Sequence, residues 1–178
     1  APKEYLSLLA GSDIKYEYVS GYLVAMAGAS INHNRICRNL IRRIDAGLDG
    51  NNRECEVLGS DQKVHVSNRQ SYFFPDITVV CPPIEVTEDD PETVLNPSLI
   101  IEVSSKTTHG YDTGTKFNHY QNLSSLKEYV VINQYLVEVT SYFRLDDSTW
   151  RITQALDLQD SLRLESLNFE LPLTEIYR

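Results

Sequence analysis

Two carboxylates stand in stretches that otherwise read as buried β-strands, and this restricts the folds open to the chain. Asp76 heads the run Phe74-Pro75-Asp76-Ile77-Thr78-Val79-Val80, and Glu102 sits inside Ile100-Ile101-Glu102-Val103-Ser104. An ionised group in such a run is costly unless something pairs with it. Strand parity puts Glu102 and Ser104 on one face, with Ile101 and Val103 turned to the opposite layer. If the two strands are neighbours, Asp76 and Glu102 meet at one end of a sheet and repel. A divalent cation is the simplest partner that removes this conflict. Mg²⁺ typically takes one or two carboxylates, and the Val103 carbonyl is a further candidate ligand.

The remaining elements are predicted around these strands. Lys3–Leu9 reads as a short helix, and Ile14–Val19 and Tyr22–Ala27 as a β-hairpin turning at Ser20-Gly21. Ser30 caps a helix over residues 31–48, where Ile31, Cys37, Leu40, Ile41, Ile44 and Leu48 keep roughly helical spacing. Strands are expected at 54–59, 62–67, 72–80 and 98–104, with 82–97 as a solvated, proline-rich, acidic excursion. Thr113–Leu123 reads as a helix and Glu128–Asn133 as a buried strand. A hairpin follows over 137–154, then short strands near 161–165 and 168–171 and a terminal turn at Leu173–Tyr177. The expected class is α/β or α+β, a central mixed sheet flanked by helices.

With 178 residues, 42% of them hydrophobic, the chain suits one domain spanning 1–178. Its longest apolar stretches are far short of a membrane span, and its opening residues lack the pattern of a secretory signal. Cys37, Cys55 and Cys81 are odd in number and form no CxxC or Cys/His cluster in the sequence. That argues against a disulfide framework and a zinc site, and for core thiols of a reducing, cytoplasmic compartment. A formal charge of −9 speaks against a polyanionic partner. The basic residues can still cluster, because Arg35, Arg38, Arg42 and Arg43 recur at helical spacing.

The motifs have a wider pattern. Tyr16-Glu17-Tyr18-Val19-Ser20-Gly21-Tyr22-Leu23-Val24-Ala25-Met26-Ala27-Gly28 with His33, the Pro75-Asp76 pair, Glu102-Val103-Ser104-Ser105-Lys106-Thr107-Thr108, Asp112, Lys116, Tyr120, Glu128-Tyr129-Val130 and Ile176-Tyr177 run nearly the length of the chain. Together they resemble the Uma-type endonuclease family, within the PD-(D/E)XK restriction-endonuclease-like superfamily. The resemblance implies a central mixed sheet flanked by helices. It also implies a divalent-metal site for cutting DNA, with Asp76 and Glu102 as ligands, Mg²⁺ as cofactor and Mn²⁺ as its substitute. One departure stands out: the usual Glu-x-Lys lysine falls at Ser104. Lys106 keeps the parity but lies about 13 Å along an ideal strand from Glu102. Lys116 is the better candidate for a migrated lysine, and Asp112, Lys116 and Tyr120 at i, i+4, i+8 can share one helical face.

Blander readings compete at each position. Asp76 alone reads as a turn residue after Pro75, and Lys116 as the i, i+4 partner of Asp112. Ser104 reads as a backbone-bonding residue, His33 as a local hydrogen-bonding group, and Tyr120 as an interior aromatic. Glu17 belongs either to a solvated strand face or to the mouth of the site. Two other functions stay open beside a metal-dependent DNA endonuclease. One is a non-catalytic interaction module on the same fold, favoured by the acidic balance and by Ser104. The other is a hydrolase of a small phosphorylated substrate, although no Gly-rich phosphate loop is present. A homodimer is expected for an enzyme that cuts both strands.

Overall fold

Pro75 is where the chain changes sheets. In the computed structural model, which describes residues 2–26, 28–51 and 54–178, the expected strand 72–80 is two strands in two different sheets. Proline lacks the N–H that a ladder needs, so pairing stops at the Phe74-Pro75-Asp76 corner and resumes on the other side.

The elements run in this order: α1 (Pro2–Ala10), β1 (Tyr16–Val19), β2 (Tyr22–Ala25), α2 (Ile31–Gly50), β3 (Glu56–Gly59), β4 (Lys63–Val66), β5 (Ser71–Phe73), β6 (Ile77–Val80), β7 (Thr93–Val94) and β8 (Pro97–Ser104). A π-helical turn over Tyr111–Lys116 leads into α3 (Phe117–Tyr120). Then come β9 (Glu128–Asn133), β10 (Val139–Arg144), β11 (Trp150–Ala155), β12 (Ser161–Leu164), β13 (Phe169–Pro172) and α4 (Leu173–Ile176). The central sheet has the order β11-β10-β9-β8-β6-β3, and β8 pairs parallel with β9 and antiparallel with β6. A second sheet, β2-β1-β5-β4-β7, carries the N-terminal hairpin. Ser20 and Gly21 both have positive φ (49° and 100°), which a tight hairpin turn requires. Ala27, the end of the expected second hairpin strand, lies outside the described residues.

Each face of the central sheet has its own core. Ile77, Leu99, Ile101, Val103, Val130 and Ile132 pack under Ile36, Leu40, Ile44 and Leu48 of α2. The intervening residues Ile100, Tyr129 and Val131 face Val64, Val66, Phe73, Tyr120 and Leu126 on the other side. Every residue of β8 except Ser98 is buried. Glu102 therefore points into the layer between the two sheets, on the side away from α2, while the hydrophobic burial on both faces fixes the register.

Three expectations need correction. Cys55 and Cys81 form a disulfide with Cα atoms 4.0 Å apart, leaving Cys37 as the free cysteine. Spacing hides this pairing. It follows from the antiparallel β3–β6 register, Glu56↔Val80, which continues to Cys55 opposite Cys81. The segment 82–97 is only partly a solvated excursion: Thr93 and Val94 are buried and pair parallel with β4. The helix expected at 113–123 starts earlier and is widened by i→i+5 bonding through Lys116. Among the described residues, no helix is long and apolar enough to cross a membrane.

Candidate active site

Glu102 is buried and held by the parallel β8–β9 pairing of the central sheet, Glu102↔Val131. The antiparallel β6–β8 register, Ile77↔Ile101, continues to Asp76 opposite Glu102. Asp76 begins where the sheet gains its partner after Pro75, so its carboxylate is free to bond across. Its Oδ2 accepts the Val103 N–H at 2.7 Å, and its Oδ1 lies 3.0 Å from His33 Nε2. His33 comes from the first turn of α2, where the Ser30 hydroxyl caps the helix by accepting the His33 N–H at 3.1 Å.

The π-helical turn brings Asp112 and Lys116 inward, and Tyr120 follows on α3. All three are buried. Lys116 Nζ lies 3.0 Å from Glu102 Oε1 and 2.9 Å from Glu17 Oε1. Tyr120 donates its hydroxyl to the same Glu102 oxygen at 3.0 Å. Glu17 is 3% exposed, which removes the solvated-face reading. It also accepts the Phe74 N–H at 3.3 Å and the Tyr111 hydroxyl at 3.2 Å. Lys116 thus bridges the two sheets, with Glu17 on β1 and Glu102 on β8. Its ion pairs are to these glutamates and not to Asp112, against the bland helical reading.

Ser104 shares the Glu102 face, but its hydroxyl is engaged locally, 3.1 Å from His109 Nδ1 and 3.4 Å from the Ile132 carbonyl. Lys106 is exposed and lies over the Tyr135 ring, away from the cluster. Lys116 is the lysine that the fold brings to Glu102. Tyr111 and Cys37 are cluster members that sequence reasoning missed. Cys37 Sγ is 3.6 Å from His33 Nδ1, and with Asp76 these two residues form a group able to hold a metal ion. The expectation of no Cys/His cluster is therefore corrected. The i, i+4 spacing of His33 and Cys37 on a helix was the available signal.

The electrostatics follow from burial and crowding. Burial pushes the Glu102 carboxyl well above the usual range, Lys116 opposes this, and Asp76, Asp112 and Glu17 add to it. Asp112 is pushed up to about 6, by burial first, with Lys116 and a Thr108 hydrogen bond opposing. Burial works against charge on Lys116, but Glu102, Glu17 and Asp112 together outweigh it and hold the ammonium well above its usual range. His33 is likewise disfavoured as a cation by burial, yet Asp76 raises it overall. Four carboxyls, Glu17, Asp76, Glu102 and Asp112, thus face one lysine and one histidine. A further cation would relieve that excess.

Comparison with known proteins shows the family and the fold. The family model Uma2, described as "Putative restriction endonuclease", matches residues 2–174. An uncharacterized protein of Synechocystis sp., sll1609, is 35% identical over 153 residues, covering 86% of this chain and 85% of its own length. A second from the same organism, slr1290, is 34% identical over 178 residues, covering 100% and 91%. The crystal structure of a "putative nuclease belonging to DUF820" from Anabaena variabilis superposes with a TM-score of 0.76 at 13% identity, covering 93% of this chain and 91% of that one. That last likeness is one of fold. With the family model spanning almost every residue, the chain belongs to the Uma2 family, within the PD-(D/E)XK-like nuclease superfamily.

Proposed function

We propose that the protein is a divalent-metal-dependent endonuclease that hydrolyses phosphodiester bonds in DNA. The observation that carries this reading is the pairing of Glu102 on β8 with Lys116 from the π-helical turn, beside Asp76 at the bend before β6, within a cluster that has more carboxyls than cations. Asp76 and Glu102 would hold Mg²⁺, with the Val103 carbonyl as a third donor and Mn²⁺ as a substitute. Such an ion offsets charge on the phosphate and lowers the pKa of a coordinated water.

The protein's own residues supply the rest. Lys116 is kept protonated, so it acts as a donor that orients the attacking water and balances phosphate charge. It does not act as a base. Glu17 and Tyr120 hold the two ends of that arrangement, one fixing the lysine and the other fixing Glu102. Water attacks phosphorus and the bond from phosphorus to the 3′ oxygen breaks. The attacking water gives its proton to solvent, the departing 3′ oxygen takes one from solvent and leaves as a hydroxyl, and the phosphate stays on the 5′ side. Of the cluster, the His33 and Asp76 side chains are 15% and 13% exposed, against 7% and 5% for Lys116 and Glu102, so approach would be from their side. Arg35, Arg38 and Arg42 are exposed on α2, the helix that supplies His33, and offer a track for the DNA backbone despite the net negative charge. A homodimer would set one site against each strand.

The alternative is a non-catalytic interaction module on the same fold. Ser104 at the usual lysine position and its local bond to His109 favour it. Incubation of supercoiled DNA with Mg²⁺ or Mn²⁺ separates the two. Nicking that is lost in Lys116→Met and Glu102→Gln supports the enzyme, and intact DNA under both metals supports the module.

A further inference from the structure

Asp76 has a second set of neighbours, and their chemistry differs from that of Glu102. His33 and Cys37 stand one helical turn apart on α2, both turned toward the Asp76 corner. The imidazole spans the gap, with Nδ1 3.6 Å from Cys37 Sγ and Nε2 3.0 Å from Asp76 Oδ1. One donor atom from each residue lies within 4.8 Å of the other two. In a tetrahedral site with metal–ligand bonds of about 2.0–2.3 Å, donor atoms stand roughly 3.3–3.8 Å apart, so small side-chain movements close the cluster.

We propose that His33, Cys37 and Asp76 form a cation site selective for a thiolate-binding transition metal of the Zn²⁺ class. The donor set decides the class. Mg²⁺ takes oxygen ligands and gains nothing from sulfur, whereas imidazole, thiolate and one carboxylate oxygen suit Zn²⁺ or Co²⁺, with an open fourth position for water or another ligand. Both faces of the site are anchored. The Ser30 cap fixes the first turn of α2, and the Val103 N–H holds Asp76 Oδ2, leaving Oδ1 for the ion. An ion takes one ring nitrogen, so coordination replaces either the thiol contact or the carboxylate contact of His33. The Cys37 thiol loses its proton to solvent on binding, and the ion offsets the thiolate charge. His33 and Cys37 are partly buried, with the His33 side chain 15% exposed.

The site goes beyond the nuclease reading: it shares Asp76 with the proposed Mg²⁺ site, but Glu102 and Lys116 are not among its donors. The probe is Co²⁺, added anaerobically to the full chain under non-reducing conditions that keep the Cys55–Cys81 disulfide intact. The wild type is expected to show thiolate-to-cobalt charge-transfer absorption at one equivalent, bleached by one equivalent of Zn²⁺. Cys37→Ser abolishes it, His33→Ala abolishes it or shifts it, and Glu102→Gln retains it. Circular dichroism checks the fold of each variant, and His33→Ala serves alone if Cys37→Ser does not fold. Absence of the absorption in the wild type, or its persistence in folded Cys37→Ser, overturns the proposal. A Glu102→Gln protein that keeps the absorption yet fails to cut DNA distinguishes this site from the nuclease site.

Discussion

Lys116 Nζ lies 3.0 Å from Glu102 Oε1, with side chains only 7% and 5% exposed. A pair this deep is more a commitment than a gain, since desolvating both charges consumes most of their attraction. Removing one partner leaves the other uncompensated. Lys116→Met is expected to destabilise the fold by about 3–5 kcal/mol, less whatever the glutamates recover by taking up a proton. Urea unfolding at neutral pH measures this. A change below about 1 kcal/mol would mean the pair is not formed.

The double role of Glu17 makes a second prediction. It ties Lys116 to β1, and the Phe74 N–H and the Tyr111 hydroxyl tie it in turn. Glu17→Gln keeps the shape and removes the charge that helps hold the lysine protonated. Lys116 should then titrate lower, read directly from its side-chain nitrogen by NMR. An unchanged titration would separate Glu17 from the cluster.

Asp112 gives the stability a pH dependence of unusual sign. Its carboxyl is raised from 3.8 to about 6 in the folded state, so between these values the folded chain binds more protons than the unfolded one. Stability contributed by this group is full below the unfolded value and falls as pH rises through the folded one. A shift of about two pH units corresponds to roughly 3 kcal/mol. Asp112→Asn should flatten the slope of stability against pH between about 4 and 6, measured by urea midpoints across that range. An identical slope in the variant would contradict the assignment.

Much of this architecture was legible in the sequence because hydrophobic periodicity carries it. The alternation in Leu99–Ser104 put Glu102 and Ser104 on one face and Ile101 and Val103 on the other, and the two cores divide along that line. The break at Pro75 was missed because Tyr72-Phe73-Phe74 and Ile77–Val80 read as one apolar run, and only tertiary context assigns them to separate sheets. The disulfide was missed for a similar reason, since register and not spacing sets Cys55 beside Cys81. In the site, Glu17 stayed divided between a solvated face and the mouth of the site, because it lies 99 residues before Lys116 on β1 of the other sheet and no local pattern pairs the two.

The disulfide itself is testable. Alkylation of the unfolded, non-reduced chain should label one thiol, Cys37, and reduction should expose three. Replacing Cys55 and Cys81 together by serine should lower stability by about 2–4 kcal/mol, since the bridge closes a loop of moderate length. Three labelled thiols before reduction would contradict the pairing.

The central claim is that Asp76 and Glu102 share one divalent cation, and calorimetric titration with Mn²⁺ tests it most directly. The account predicts one binding event in the wild type that is lost in both Asp76→Asn and Glu102→Gln while circular dichroism shows the fold intact. Wild-type binding that survives Glu102→Gln unchanged would contradict it, and would leave Asp76 to its other neighbours, His33 and Cys37.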